Sequence, residues 1–381
     1  MFERILHISI YQRAIVLMAV MMMAIIGVYS YQKLPIDAVP DITNVQVQIN
    51  TNAPGYSPIE AEQRITFPIE TIMAGLPHLD YTRSISRYGL SQVTVIFKDG
   101  TDVYFARQQV SQRIQEAKGR LPIGIEPMMG PISTGLGEIF MWTVDAKPGA
   151  KKLDGSEYTT TDLREIQDWV IRPQLRMVKG VTEINTVGGY VKQFHVVPYP
   201  EKMISFGLGL ADLVTALERN NLNVGAGYIE KSGEQYLVRI PGQIANLNEI
   251  GNIILGSRQG TPIRVKDVAD ILIGKELRTG AATQNGKEVV LGTVHMLIGE
   301  NSRLVAQAAA RKLEEINRNL PEGIVTTPVY DRTTLVEKTI HTVAKNLLEG
   351  AALVIVVLLL FLGNMRAALI AAFVIPLSML F

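Results

Sequence analysis

The stretch AIVLMAVMMMAIIGVYSYQ, Ala14–Gln32, runs without a charge between Arg13 and Lys33. About 20 apolar residues suffice to cross a bilayer as a helix. Tyr29 and Tyr31 at its far end suit an interfacial aromatic anchor. A cleaved signal peptide fits less well, because the apolar core is too long and no small-x-small cleavage site follows. A second apolar run, Gly350–Asn364, is preceded by TTLVEKTIHTVAKNLLE. There Leu335, Val336, Thr339, Ile340, Val343 and Leu347 recur at helical spacing, which predicts one amphipathic helix running into the span, with Asp331 as its N-cap. Arg4 and Arg13 precede the first run and Arg366 follows the second. Basic flanks stay in the cytoplasm, so residues 34 to about 335 are expected across the membrane. The final stretch, Ala367–Phe381, is uncharged but only 15 residues long, short of a span. The sequence is therefore expected to continue, and the chain to be the N-terminal part of a larger protein.

The 381 residues leave room for two or three domains, and the net charge of +1 offers no basic field for nucleic acid. Without cysteine, thiolate metal sites, disulfides and a Cys nucleophile are excluded together.

Between the apolar runs the pattern is that of an α/β protein. NVQVQINT alternates as a strand, and a helix follows from Ser57 to Ala74, with Ser57 as cap, Pro58 at N1 and Glu60 in the first turn. LDYTRSISRYG and SQVTVIF read as two strands joined at Tyr88-Gly89. A helix from Asp102 to about Lys118 and a strand beginning at Ile123 complete a β-α-β-β-α-β order, the ferredoxin-like split unit. The pattern recurs. EIFMWTVDA is a strand, TTDLREIQDWVIRPQL a helix, and VTEINTVGG with YVKQFHVV a strand pair joined by Gly188-Gly189. NSRLVAQAAARKLEEINRNLPEGIVTTPVYD supplies the closing helix and strand, and its LPEGI echoes LPIGI at 121–125. Such self-similarity marks an internal repeat. An insert at 198–275 holds a helix near 210–220, a hairpin GAGYIEKSGEQYLVRIPG with a polar tip, and a strand TPIRVKDV.

No nucleotide signature is present. GLGEIF lacks the third glycine of a dinucleotide loop, and the Lys-Ser/Thr of a P-loop is missing. His7, His78, His195, His295 and His341 are scattered singly and read as structural or surface residues. Met128-Met129 is the only methionine pair outside the first span, and neighbours in an extended chain point apart, which disfavours a Cu(I) site. Two carboxylates stand out. Glu138 begins a strand whose alternate residues Phe140 and Trp142 share its face, just after Gly135 and Gly137, which let backbone approach closely; the simpler reading is an exposed strand-end charge. Asp168 lies four residues from both Arg164 and Arg172, and its simpler reading is a solvated ion-pair ladder.

LPIDAVPDITNVQVQ, SRYGLSQVTVIFKDGTDVYFARQ, GPISTGLGEI, LREIQDW and GKELRTGAAT resemble the heavy-metal branch of the resistance-nodulation-division efflux pumps, most of all its CzcA-type cobalt–zinc–cadmium members. The resemblance runs from Met1 to Phe381. It implies an α+β membrane protein in which transmembrane helices carry periplasmic ferredoxin-like porter subdomains with an inserted docking subdomain. On that reading, residues 1–33 are the N-terminus and first transmembrane helix, and 34–134 the first porter subdomain. Residues 135–197 and 276–332 form the second porter subdomain around the docking insert at 198–275. Residues 333–364 lead into the second span, and 365–381 begin a third.

The resemblance further implies a secondary transporter rather than an enzyme: an inner-membrane homotrimer that exchanges divalent metal ions for protons. Its partners would be a periplasmic adaptor, an outer-membrane channel and membrane lipid, with no nucleic acid. No cofactor is expected, the metal ion being the substrate. On the resemblance, Glu138 and Asp168 would match acidic positions that contribute to the periplasmic metal site. The proton-relay carboxylates of the fourth span would lie beyond Phe381. Two other readings stand beside this one: a two-span periplasmic sensor or solute-binding protein, and the drug-exporting branch of the superfamily. Aromatic residues at 7% argue against the second.

Overall fold

The computed structural model describes residues 10–33, 43–240, 242–278 and 280–362, with Arg366, Ile370 and Val374 beyond them. Arg4 and, apart from Ile370 and Val374, the stretch Ala367–Phe381 lie outside the described residues. The expected apolar helices are present as Arg13–Lys33 and Arg332–Leu362, each long and apolar enough to cross a membrane. The second is continuous from its amphipathic start to its apolar end. The Asp331 carboxylate accepts the Thr333 N–H at 2.8 Å, one of the orphan donors of a helix start.

The chain divides into two compact units, one of residues 1–143, 170–186 and 291–381, the other of 144–169 and 187–290. In the first unit, strands β1 (Gln46–Asn52), β2 (Leu79–Arg87), β3 (Leu90–Phe97) and β4 (Pro127–Met129) form a sheet of order β2-β3-β1-β4 with antiparallel neighbours throughout. Helices over 58–73 and Val103–Lys118 supply the cover. Val47, Ile49, Val93 and Val95 of the sheet are buried with Ile65, Ile69, Val110 and Ile114 of the helices. Ser57 and Glu60 form a reciprocal capping box, and Asp102 accepts the Phe105 N–H at 2.8 Å. β4 starts later than Ile123. Ile123 sits in a turn closed by Ile125 N–H to Pro122 O at 3.1 Å, with Gly124 at φ 84, so the chain becomes extended only after the turn.

The remaining strands follow as β5 (Glu138–Ala146), β6 (Val181–Val187), β7 (Lys192–Pro198), β8 (Val224–Lys231), β9 (Glu234–Ile240), β10 (Ile254–Arg258), β11 (Thr261–Arg264), β12 (Ala269–Lys275), β13 (Ala282–Gln284), β14 (Lys287–Met296) and β15 (Ile324–Asp331). A five-stranded sheet has the order β13-β14-β5-β15, with β6 paired to β14. The pairing expected between 181–189 and 190–197 is absent: β7 pairs with β12 instead. Gly188 and Gly189 at φ 84 and 64 carry the chain out of β6 without making a hairpin. β8 and β9 do pair, around a tip at Ser232-Gly233 with φ 57 and 80, the positive values of a two-residue hairpin turn. β11 stops at Arg264, where the expected strand TPIRVKDV turns into a short helix, Val265–Val268. There Asp267 accepts the Arg264 N–H and draws the chain into a helical turn. Met203, Leu213, Ile250, Ile263, Val265 and Val268 form the core of this part of the second unit.

Two local devices occur twice at matching places. The helix over 58–73 contains a π-helical turn, Glu62–Thr66, just before Pro68, and the helix over 160–176 contains another, Gln167–Ile171, just before Pro173. A proline ring clashes with the carbonyl four residues back, which falls inside each π turn, and the wider turn moves that carbonyl aside. The LPIGI and LPEGI segments also make the same turn. Ile324 N–H meets Pro321 O at 3.1 Å with Gly323 at φ 86, matching Ile125, Pro122 and Gly124.

Candidate functional site

Glu138 is the first residue of β5, directly after the single turn Gly135–Gly137. That turn is fixed from two sides. Arg332, itself buried, donates to Leu136 O. Gly137 packs so closely that a Cβ there would lie 2.2 Å from Ser133 Oγ and 3.3 Å from Met296 O, whereas Gly135 faces open space. Close approach thus belongs to Gly137 alone. Beyond Glu138 the strand enters the core, with Phe140 and Trp142 fully buried and their rings stacked at 6.1 Å. The Glu138 side chain stays 46% exposed at the strand's open end.

It opens onto a cavity of about 610 Å³ within the first unit, lined by Gln46, Gln48 and Asn50 of β1, Met128 and Met129 of β4, Glu183 and Asn185 of β6, and His295 of β14. His295 Nε2 lies 4.0 Å from Glu138 Oε1 and 3.0 Å from Asn185 Nδ2, with the ring only 12% exposed. Burial holds the His295 pKa below its ordinary value, opposed by the nearby carboxylates of Glu138 and Glu183. The shift favours the neutral imidazole, the form that ligates metal. Glu183 accepts from Arg172 Nη2 at 3.2 Å. Met128 is exposed while Met129 packs on the core. Among the described residues, no three His, Cys, Asp or Glu side chains converge closely enough to hold a metal ion by themselves.

Asp168 lies in the other unit, on the π turn Gln167–Ile171. Arg164 Nε donates to its Oδ2 at 2.6 Å and also, through Nη1, to Gly188 O at 2.9 Å. The i,i+4 ion pair with Arg164 is thus made, while Arg172 turns to Glu183 instead. Trp169, Val191 and Phe194 line a shallow cavity of about 350 Å³ beside it, with Glu165 and Lys192 paired at 3.2 Å. Glu183 and His295 were legible as residues but not as neighbours of Glu138, because the pairing of β6 and β5 around β14 leaves no short-range mark in the sequence.

The family described as AcrB/AcrD/AcrF matches residues 5–381. The chain belongs to this family. "Cobalt-zinc-cadmium resistance protein CzcA" of Cupriavidus metallidurans is 69% identical over 381 residues, 100% of this chain and 36% of the relative. "Cation efflux system protein CusA" of Escherichia coli (strain K12) is 37% identical over 381 residues, again 36% of that protein. A crystal structure titled as a heavy metal efflux pump superposes with a TM-score of 0.88 at 35% identity, over 97% of this chain and 36% of that one. This AcrB/AcrD/AcrF member therefore spans 36% of the length of these relatives.

Proposed function

We propose that the chain is the N-terminal part of a proton-driven exporter of divalent cations of the Co²⁺, Zn²⁺ and Cd²⁺ class. The observation that carries the reading is the 69% identity, over the whole chain, to a protein named for cobalt, zinc and cadmium resistance. The relatives named for cation efflux favour it over the sensor and drug-export readings. The helix Arg13–Lys33 and the apolar half of Arg332–Leu362 serve as inner-membrane spans, and the folded units between them face the periplasm. The sheet of order β2-β3-β1-β4 supports a ferredoxin-like first porter subdomain. Residues 135–197 with 276–332 make the second, and 198–275 dock against a neighbouring copy in a trimer, which an adaptor and an outer-membrane channel complete.

Glu138 and Asp168 are the carboxylates of the cation path in this reading. Borderline divalent ions accept carboxylate oxygen and imidazole nitrogen, and the Glu138 cavity offers both. Asp168 takes part only when its ion pair with Arg164 opens, so Glu138 carries the larger share. Glu138→Gln and Asp168→Asn keep side-chain size and remove the anionic ligand. In cells dependent on the complete encoded protein, both lower zinc tolerance at matched expression, Glu138→Gln more strongly. Wild-type tolerance in both variants contradicts the assignment.

A further inference from the structure

We propose that His295 is the nitrogen ligand of the Glu138 cavity and the residue that makes it prefer borderline ions over hard ones. The inference rests on the cation-path reading of Glu138 and adds a donor of a different chemical kind. A cavity of carboxylate and amide oxygens alone suits Mg²⁺, Ca²⁺ or Mn²⁺, whereas imidazole suits Zn²⁺, Co²⁺ and Ni²⁺. His295 is the histidine that lines this cavity, and the same nitrogen that faces Glu138 Oε1 at 4.0 Å lies against Asn185 Nδ2. With the ring proton on Nδ1, Nε2 accepts from the Asn185 amide, which holds the lone pair in the cavity until a cation takes its place.

The separation is close to what one ion would need. Two donors at bond lengths of about 2.0–2.2 Å around a tetrahedral centre stand roughly 3.4 Å apart, so Glu138 has to close by about 0.6 Å. Its half-exposed side chain can rotate that far, while the His295 ring is held by burial. Glu183, engaged with Arg172, contributes field rather than a free ligand. The remaining positions fall to water and to the amide oxygens of the cavity wall.

The test is binding by the complete encoded polypeptide in detergent, with Co²⁺ followed by its optical bands and Mn²⁺ by the signal of the free ion. His295→Gln is expected to weaken Co²⁺ binding at least about tenfold while changing Mn²⁺ binding less than about twofold, with loss of the nitrogen-ligand signature from the Co²⁺ spectrum. Glu138→Gln is expected to weaken both ions. If His295→Gln weakens neither ion, or both equally, while Glu138→Gln still weakens both, His295 is no ligand and only the cavity reading survives. If Glu138→Gln changes neither ion but His295→Gln weakens Co²⁺ alone, the His295 inference stands and the Glu138 assignment falls. If neither variant changes either ion, both are overturned. Thermal melting verifies the fold, and His295→Asn repeats the measurement should the glutamine variant unfold.

Discussion

Gly188 shows how much a single position can constrain. It sits at φ 84, and a Cβ there would lie 2.4 Å from Val289 O and 3.2 Å from Ala282 N. Both are backbone atoms with little freedom to yield. Gly188→Ala is therefore expected to destabilise the protein by about 2 kcal/mol or more, the left-handed backbone adding to the overlap. Gly286→Ala is the control, since Gly286 has φ 77 but open space around it, and it should cost about 1 kcal/mol. Equal melting shifts for the two variants would contradict the packing argument. Asp162 gives a pH-dependent case. Burial alone would raise its carboxyl pKa, but hydrogen bonds from Thr159 and from Lys152 outweigh burial and hold it below the usual carboxylate range. Because the unfolded chain binds that proton more readily, the contribution is full above about pH 4 and is lost as pH falls through the lower folded value. Asp162→Ala should cost about 1 kcal/mol at neutral pH, and the gap to wild type should narrow in melts as pH falls below about 4. A constant gap across that range would place the effect elsewhere.

Among the elements, those read from local chemistry match the structure best. Ser57-Pro58, Asp102 and Asp331 cap helices where capping residues stand in the sequence, since capping involves neighbours only. β5 spans Glu138–Ala146, the nine residues EIFMWTVDA expected as a strand. The partners of β6 and β7 were not legible, because adjacency in sequence favours a hairpin and only long-range pairing decides against it. His295 reads as structural in the sequence for the same reason: its place beside Glu138 exists only once β14 lies between β5 and β6. The π turns before Pro68 and Pro173 have their sequence signal in the prolines themselves. The β8–β9 hairpin was legible from its polar tip, and it exposes Tyr228, Ile229 and Tyr236. If it docks into a neighbouring copy, cutting it back to a tight turn lowers the trimer fraction on native gels and leaves the rest folded. Unchanged trimer content would refute that role.

For the whole molecule, two apolar helices bracket the folded units, and the family match covers nearly the full chain. Proton coupling in the proposed exporter needs carboxylates buried in the bilayer, and the described parts of Arg13–Lys33 and of the apolar half of Arg332–Leu362 carry none between Ala14 and Gln32 or beyond Glu349. On the proposed reading, the folded units described here capture the cation. The most direct measurement is zinc flux by the complete encoded protein in proteoliposomes, read by an entrapped zinc-sensitive dye under an imposed pH gradient. The account predicts flux that requires the gradient, stops when a protonophore collapses it, and falls sharply in Glu138→Gln. Zinc movement that ignores the gradient, or its absence in a folded and correctly inserted protein, would contradict proton-driven cation export.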